Sequence, residues 1–201
     1  MKIISWNVNG IRSAIAQDFW DQIKATKADI VCLQELKIDQ GSFTNIKIID
    51  GYETICNHAE KKGYSGVAVI FKKNFKPKIK MTKQGDKRFD NEGRYLELDF
   101  GDFILINIYL PHGGRQKENL GYKLSVYEKL ITKLDKLKNN KVVAIGDFNI
   151  AHAELDLARP KNNKNNIMFT VEERAQIGKI IRLGYTDTFR QFFKEGGHYT
   201  W

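Results

Sequence analysis

The chain has 201 residues, 42% of them hydrophobic, with only three prolines and no internal repeat or low-complexity linker, which sets the expectation of one domain spanning residues 1–201. No apolar run approaches the ~20 residues that a membrane-spanning helix needs, so no membrane partner is expected. The net charge of +9 fits either a polyanionic partner such as nucleic acid or a generally basic, solvated surface.

In chain order, Lys2 to Val8 reads as a strand that ends in the turn pair Asn9-Gly10. Export is not expected, because no charged region and apolar stretch come first. Ile15, Phe19 and Ile23 recur four apart, the spacing of a helix, and Ala28 to Gln34 is a short apolar run that suits a buried strand. Cys32 and Cys56 both fall in such strand patterns, which points to two buried thiols in a reducing, cytoplasmic compartment rather than to a disulfide. Tyr52 to Asn57, Gly66 to Phe71, Lys78 to Met81, Tyr95 to Phe100 and Phe103 to Tyr109 continue as strands. Between Asn119 and Asn139, the residues Leu120, Leu124, Tyr127, Ile131 and Leu134 mark a long amphipathic helix. Val142 to Ile145 is a strand that stops at Gly146-Asp147-Phe148-Asn149. After a loop from Ala151 to Phe169, Thr170 and Glu173 form a capping-box pattern for a helix that Gly184 closes. Many strands with helices between groups of them suit α/β architecture, with sheets packed face to face.

Four strand ends carry polar residues two apart: Asn7 and Asn9, Glu35 and Lys37, Asn107 and Tyr109, Asp147 and Asn149. Side chains two apart on a strand share a face. Asp and Asn are also common caps and turn residues, and that reading of Asp147 and Asn149 stands beside a functional one. Were the strand ends to converge, they would gather two acids, several amides, a phenol and an ammonium. Oxygen-only ligands with few carboxylates suit Mg²⁺ together with a phosphate, whereas His and Cys clusters for zinc and a P-loop are missing.

The stretches Ser5-Trp6-Asn7-Val8-Asn9-Gly10, Leu33-Gln34-Glu35-Leu36-Lys37, Gly63-Tyr64-Ser65-Gly66-Val67, Asn107-Ile108-Tyr109-Leu110-Pro111 and Gly146-Asp147-Phe148-Asn149 resemble, in this order, the exonuclease III branch of the AP endonucleases. That branch belongs to the endonuclease/exonuclease/phosphatase superfamily, and the resemblance runs along essentially the whole chain. It implies a four-layer αββα sandwich and a Mg²⁺-dependent phosphodiesterase, with Mn²⁺ as an alternative ion. Its expected substrate is double-stranded DNA, cut on the 5′ side of an abasic site or trimmed at 3′ ends, and its expected state is a monomer. By the same resemblance Glu35 is the metal ligand, with Asn7 beside it, and Asp147 orients or deprotonates the attacking water. Asn149 and Asn7 hold that water and a phosphate oxygen, and Tyr109 contacts the scissile phosphate or the leaving oxygen. Lys37, Tyr64, Arg94, Arg115, Asn163 and Asn166 flank the site as DNA contacts.

The sequence also departs from the family pattern. Relatives continue through further strands after the Tyr199-Thr200-Trp201 segment and carry an Arg-Ile-Asp-like strand and a Ser-Asp-His motif, neither of which occurs here. Some relatives place an aspartate ligand where this chain has Asn9. The expectation is thus a C-terminally incomplete member of the family. A less selective nuclease or phosphatase of the superfamily, or a non-catalytic DNA-binding remnant, are the alternative readings.

Overall fold

The computed structural model describes residues 1–200. Its elements in order are β1 (Ile3–Asn7), α1 (Ile11–Ile15), α2 (Phe19–Thr26), β2 (Ile30–Gln34), α3 (Gln40–Phe43), β3 (Tyr52–Asn57), β4 (Val67–Lys72) and β5 (Lys78–Met81). They continue with α4 (Lys87–Asn91), β6 (Tyr95–Asp99), β7 (Ile104–Tyr109), α5 (Leu120–Leu137), β8 (Val142–Asp147), a 3-10 turn (Glu154–Asp156), α6 (Pro160–Asn163), α7 (Val171–Arg182) and α8 (Thr188–Phe192). The eight predicted strands are present, with ends that shift by at most two residues. No helix among the described residues is long and apolar enough to cross a membrane.

The described chain separates into two compact units, the first made of Met1–Tyr109 and Asn140–Phe148, the second of Leu110–Asn139 and the chain from Asn149 onward. The first unit contains both sheets, ordered β1-β2-β4-β3 and β5-β6-β7-β8. Both are mixed: β1 runs parallel to β2 and β7 parallel to β8, while the remaining pairs are antiparallel. The apolar run of β2 follows from burial on both of its faces. Val31 and Leu33 pack with Ile11, Phe19 and Ile23 of the α1–α2 segment. Ile30 and Cys32 point the other way, into the layer between the sheets, against Leu96, Leu98 and Leu105. Gln34 continues that second face, and its side-chain amide donates to Asn107 Oδ1 at 2.8 Å.

Two expectations change. The apolar spacing Ile15, Phe19, Ile23 spans two helices rather than one, because Asp18 adopts a left-handed backbone with φ of 59° between them. The stripe that α5 buries fully is Val126, Tyr127, Leu130 and Leu134, together with Lys123, which no apolar periodicity could have included. Trp201 lies outside the described residues. Both cysteines are free, as expected. Burial pushes the Cys56 thiol up to about 12 and raises that of Cys32 further.

In the second unit α5 packs with α7. An ion pair between Lys179 of α7 and Glu128 in the middle of α5 joins them, and Tyr185 beyond α7 donates its hydroxyl to the Leu134 carbonyl at 3.0 Å.

Candidate active site

Parallel pairing in β1–β2 and β7–β8 brings the carboxyl ends of these strands into register, Asn7 beside Gln34 and Tyr109 beside Asp147. At these ends the side-chain amide of Asn7 donates to two acids at once, Glu35 Oε1 at 2.9 Å and Asp147 Oδ2 at 2.8 Å. The carboxylates can only accept, so the amide nitrogen must face them. The Asn9 N–H holds the other end of the amide by donating to Asn7 Oδ1 at 3.1 Å.

Glu35 and Lys37 reach the site by an unforeseen route. Strand pairing stops at Gln34, and Glu35 and Lys37 take left-handed backbones with φ of 57° and 49°. Residues of this kind persist where surrounding bonds over-determine them, and such strain gathers at functional sites. Here the bonds are Gly10 N–H to the Glu35 carbonyl at 2.7 Å, Ile11 N–H to Leu36 at 2.9 Å, and Lys37 N–H to Ser65 at 2.8 Å. The Lys37 ammonium pairs with Glu35 Oε2 at 2.8 Å and also donates to Asn9 Oδ1.

Burial pushes the Glu35 carboxyl up, but hydrogen bonds from Asn7, Lys37 and Tyr109 and the charge of Lys37 outweigh it, leaving a value below the ordinary one. The folded value is thus the lower, so Glu35 stabilises the fold above its unfolded pKa of about 4.3 and loses that contribution as pH falls through the folded value. In urea titrations, the stability difference between the native chain and Glu35→Gln should narrow as pH drops below about 4.3. A difference that does not change with pH would sink this account.

Tyr109 is shifted in the opposite direction. Burial raises its phenol, Arg94 counters, and the bond to Glu35 adds to the rise, so the group stays protonated as a hydrogen-bond donor. The guanidinium of Arg94 lies 4.1 Å from the Tyr109 ring centroid and donates to the Tyr109 carbonyl at 3.2 Å. It also pairs with Glu92 and reaches the Tyr64 hydroxyl at 3.4 Å. Arg94 is only 5% exposed. Arg94, expected to flank the site as a DNA contact, lies against the Tyr109 ring, where the carboxylate of Glu92 and two aromatic rings make burial of the charge tolerable. Tyr64 is exposed, with the Lys61 ammonium 5.4 Å from its ring centroid.

Asn107 does not join the site. It is fully buried, and its amide donates to the Leu33 carbonyl at 3.1 Å and the Ala68 carbonyl at 2.8 Å. It faces inward because it continues the intersheet face of Leu105.

Asn149, Arg115, Asn163 and Asn166 belong to the second unit. Strand alternation from Asp147 does not extend to Asn149, since β8 ends at Asp147 and Asn149 has φ of 49°. The Asn149 amide donates to the Leu110 carbonyl at 2.8 Å. Arg115 is exposed. Asn163 and Asn166 cap their own short turn, donating to the carbonyls of Arg159 at 2.8 Å and Asn162 at 3.2 Å.

The carboxylate oxygens of Glu35 and Asp147, joined through the Asn7 amide, suit a hard divalent cation such as Mg²⁺, which takes one or two carboxylates and leaves the rest of its shell to water and phosphate. No cluster of three or more His, Cys, Asp or Glu suited to a metal occurs among the described residues.

The profile of the endonuclease/exonuclease/phosphatase family matches residues 4–201. An exodeoxyribonuclease of Bacillus subtilis is 38% identical over 204 residues, covering 100% of this chain and 79% of that protein. A DNA-(apurinic or apyrimidinic site) endonuclease of Dictyostelium discoideum is 36% identical over 206 residues, covering 100% of this chain and 56% of its own length. The chain therefore spans only about half of that relative. Among solved structures, a 3′-5′ exonuclease from Neisseria meningitidis superposes with a TM-score of 0.85 at 27% identity, covering 100% of this chain and 78% of the other. The α/β class with two mixed sheets flanked by helices, expected from the sequence as an αββα sandwich, is the class of this neighbour. With most of its length matched by the family profile and by the Bacillus relative, the chain belongs to the endonuclease/exonuclease/phosphatase family.

Proposed function

We propose that this chain acts, as one domain of its family, in DNA repair as a divalent-metal-dependent phosphodiesterase that cuts the backbone 5′ to abasic sites and trims 3′ ends. The observation that carries the reading is the Asn7 amide bridging Glu35 and Asp147, which holds two acids of opposite task within one hydrogen-bonded unit. The names of the relatives, an abasic-site endonuclease and an exodeoxyribonuclease, support DNA over a small phosphate ester as the substrate.

Glu35, kept ionised by its hydrogen bonds, would hold Mg²⁺ or Mn²⁺ with the help of Asn7. When bound, the cation neutralises charge on the phosphate and on the departing 3′ oxygen. Asp147, its Oδ2 fixed by Asn7, orients the attacking water and accepts its proton. Asn149 steadies that water. Tyr109 keeps its proton and offers its hydroxyl to the phosphate, with Arg94 and Glu92 fixing the ring from behind. Phosphoryl transfer is mostly positioning and charge neutralisation, so a site of bridged carboxylates and neutral donors is suited to it. Lys37, Tyr64, Arg115, Asn163 and Asn166 supply backbone contacts to the duplex, which position it without reading sequence.

The test is a duplex carrying one tetrahydrofuran abasic analogue, incubated with the chain in Mg²⁺ or in EDTA and resolved on a denaturing gel. A single cut 5′ to the analogue, only with the metal, is the expected result. Equal cutting of intact duplex or of a small phosphate ester would replace the reading with a less selective member of the family. Salt-sensitive binding without any cut would replace it with a DNA-binding role.

A further inference from the structure

Lys123 lies in the first turn of α5 and is completely buried, as is its partner Glu173 on α7. A lysine ammonium has three donors and no acceptor. In this chain three acceptors meet them: the His112 carbonyl at 3.0 Å, the Asn149 carbonyl at 2.6 Å and Glu173 Oε1 at 2.6 Å. Glu173 in turn accepts from the Met168 N–H at 3.0 Å and the Thr170 N–H at 3.0 Å. The Ala151 N–H closes the arrangement by donating to the Met168 carbonyl at 2.9 Å. One ammonium thus joins the loop after Leu110, the residue Asn149, the segment before α7 and α7 itself.

Stability alone is a weak reason for this lysine. A buried ion pair can often be exchanged for apolar side chains of similar volume without loss, and sometimes with gain. The neighbouring buried positions of α5, Val126, Tyr127 and Leu130, are filled in that way. What an apolar side chain cannot do is hold two backbone carbonyls on separate loops. One of them is that of Asn149, whose left-handed backbone needs support from its surroundings. Its side chain is held from Leu110, on the same loop as His112.

We propose that Lys123 is a positioning residue, and that its buried ammonium fixes Asn149 by tying the Asn149 carbonyl to the His112 loop and to Glu173. The assignment deepens the proposed phosphodiesterase reading and rests on it, since Asn149 is given its task there.

The test replaces both charges together, Lys123→Met with Glu173→Gln, so that no ion is left alone and the glutamine keeps the capping box at Thr170. The melting temperature should stay within about 5 °C of the native value. The Ala151 amide and the Asn119 amide, which donates to the Gly113 carbonyl, should exchange at least ~10-fold faster, while the central amides of α5 keep their rates. Single-turnover cutting of abasic duplex in Mg²⁺ should fall by ~10- to 100-fold with duplex affinity little changed. Adding Asn149→Ala to this variant should cost far less than Asn149→Ala costs alone, since the two act through one residue. Unchanged exchange at Ala151, or additive losses with Asn149→Ala, would overturn the proposal. If melting drops steeply, the Glu173→Gln variant alone provides the comparison: the ammonium then keeps both carbonyls, so cutting as slow as in the double variant would overturn it too. Failure of the unmodified chain to cut is a separate result. It removes the proposed function and the positioning role with it, and the exchange rates then report the tether alone.

Discussion

Asp147→Asn should lower the single-turnover rate of abasic-site cutting by ~10²–10⁴-fold, the range over which a positioned general base acts. The substitution is close to isosteric, and an asparagine oxygen at this place can still accept from Asn7 Nδ2, which now lies 2.8 Å from Asp147 Oδ2. Geometry is thereby retained while the proton acceptor is removed. Duplex affinity should hold or rise, because a negative charge near the phosphate is lost. Lys61→Ala is the contrast: this ammonium sits over the exposed Tyr64 ring and forms none of the carboxylate bridge, so its removal should change the rate by less than about 3-fold and act mainly on salt-dependent binding. Rapid-quench assays at saturating enzyme separate the two effects. A loss below tenfold for Asp147→Asn would assign the proton to another group and leave Asp147 an electrostatic part.

What the sequence could show of this site was the residue types and their places at strand ends. Asn7, Glu35, Tyr109 and Asp147 were legible because a polar side chain closing a short apolar run is unusual, and parallel pairing then brings such ends together. The local route was not legible. Glu35 and Lys37 look like a strand continued at period two, whereas both are left-handed, a state imposed by bonds from Gly10, Ile11 and Ser65, the nearest of them more than twenty residues away in the chain. Asn107 carries the same strand-end signature as Tyr109 but bonds inward to Leu33 and Ala68, and nothing local distinguishes the two. The burial of Arg94 and of Lys123 was illegible for a common reason. Charged residues are read as surface, since burial is tolerable only with partners in place, and those partners, Glu92 with Tyr109 for one and Glu173 with two carbonyls for the other, come together only when the chain is folded. The sheet framework needed less context. β2 is apolar from Ile30 to Leu33 because both of its faces are covered, and a four-residue run of that kind, bounded by turn residues, reads as a strand without knowledge of what covers it.

Gly146→Ala should destabilise the first unit by about 3 kcal/mol or more, from ~1–3 kcal/mol of backbone strain and ~1–3 kcal/mol of overpacking. Gly146 has φ of 139°, and a Cβ there would meet the Ile108 carbonyl oxygen at 2.0 Å. That oxygen belongs to the neighbouring strand, paired with Gly146 in the β7–β8 ladder, so it cannot swing aside as a side chain could. The ladder must open at its last rungs. By the usual proportionality the melting temperature should fall by about 6–12 °C. Gly51→Ala separates the two causes, since Gly51 also has a positive φ, 87°, but open space around it. It should lose only the strain contribution, about 1 kcal/mol. The consequence for the site is larger than the difference in stability suggests. Tyr109 pairs with Asp147 one rung beyond Ile108 and Gly146, so an opened ladder displaces the phenol and the water-orienting acid together. Cutting by Gly146→Ala, measured well below its melting temperature, should therefore drop by at least ~10²-fold, whereas Gly51→Ala keeps the native rate. Equal melting shifts for the two variants would show that the β7–β8 ladder accommodates a side chain at Gly146, and the close approach to Ile108 would then have no part in placing Asp147.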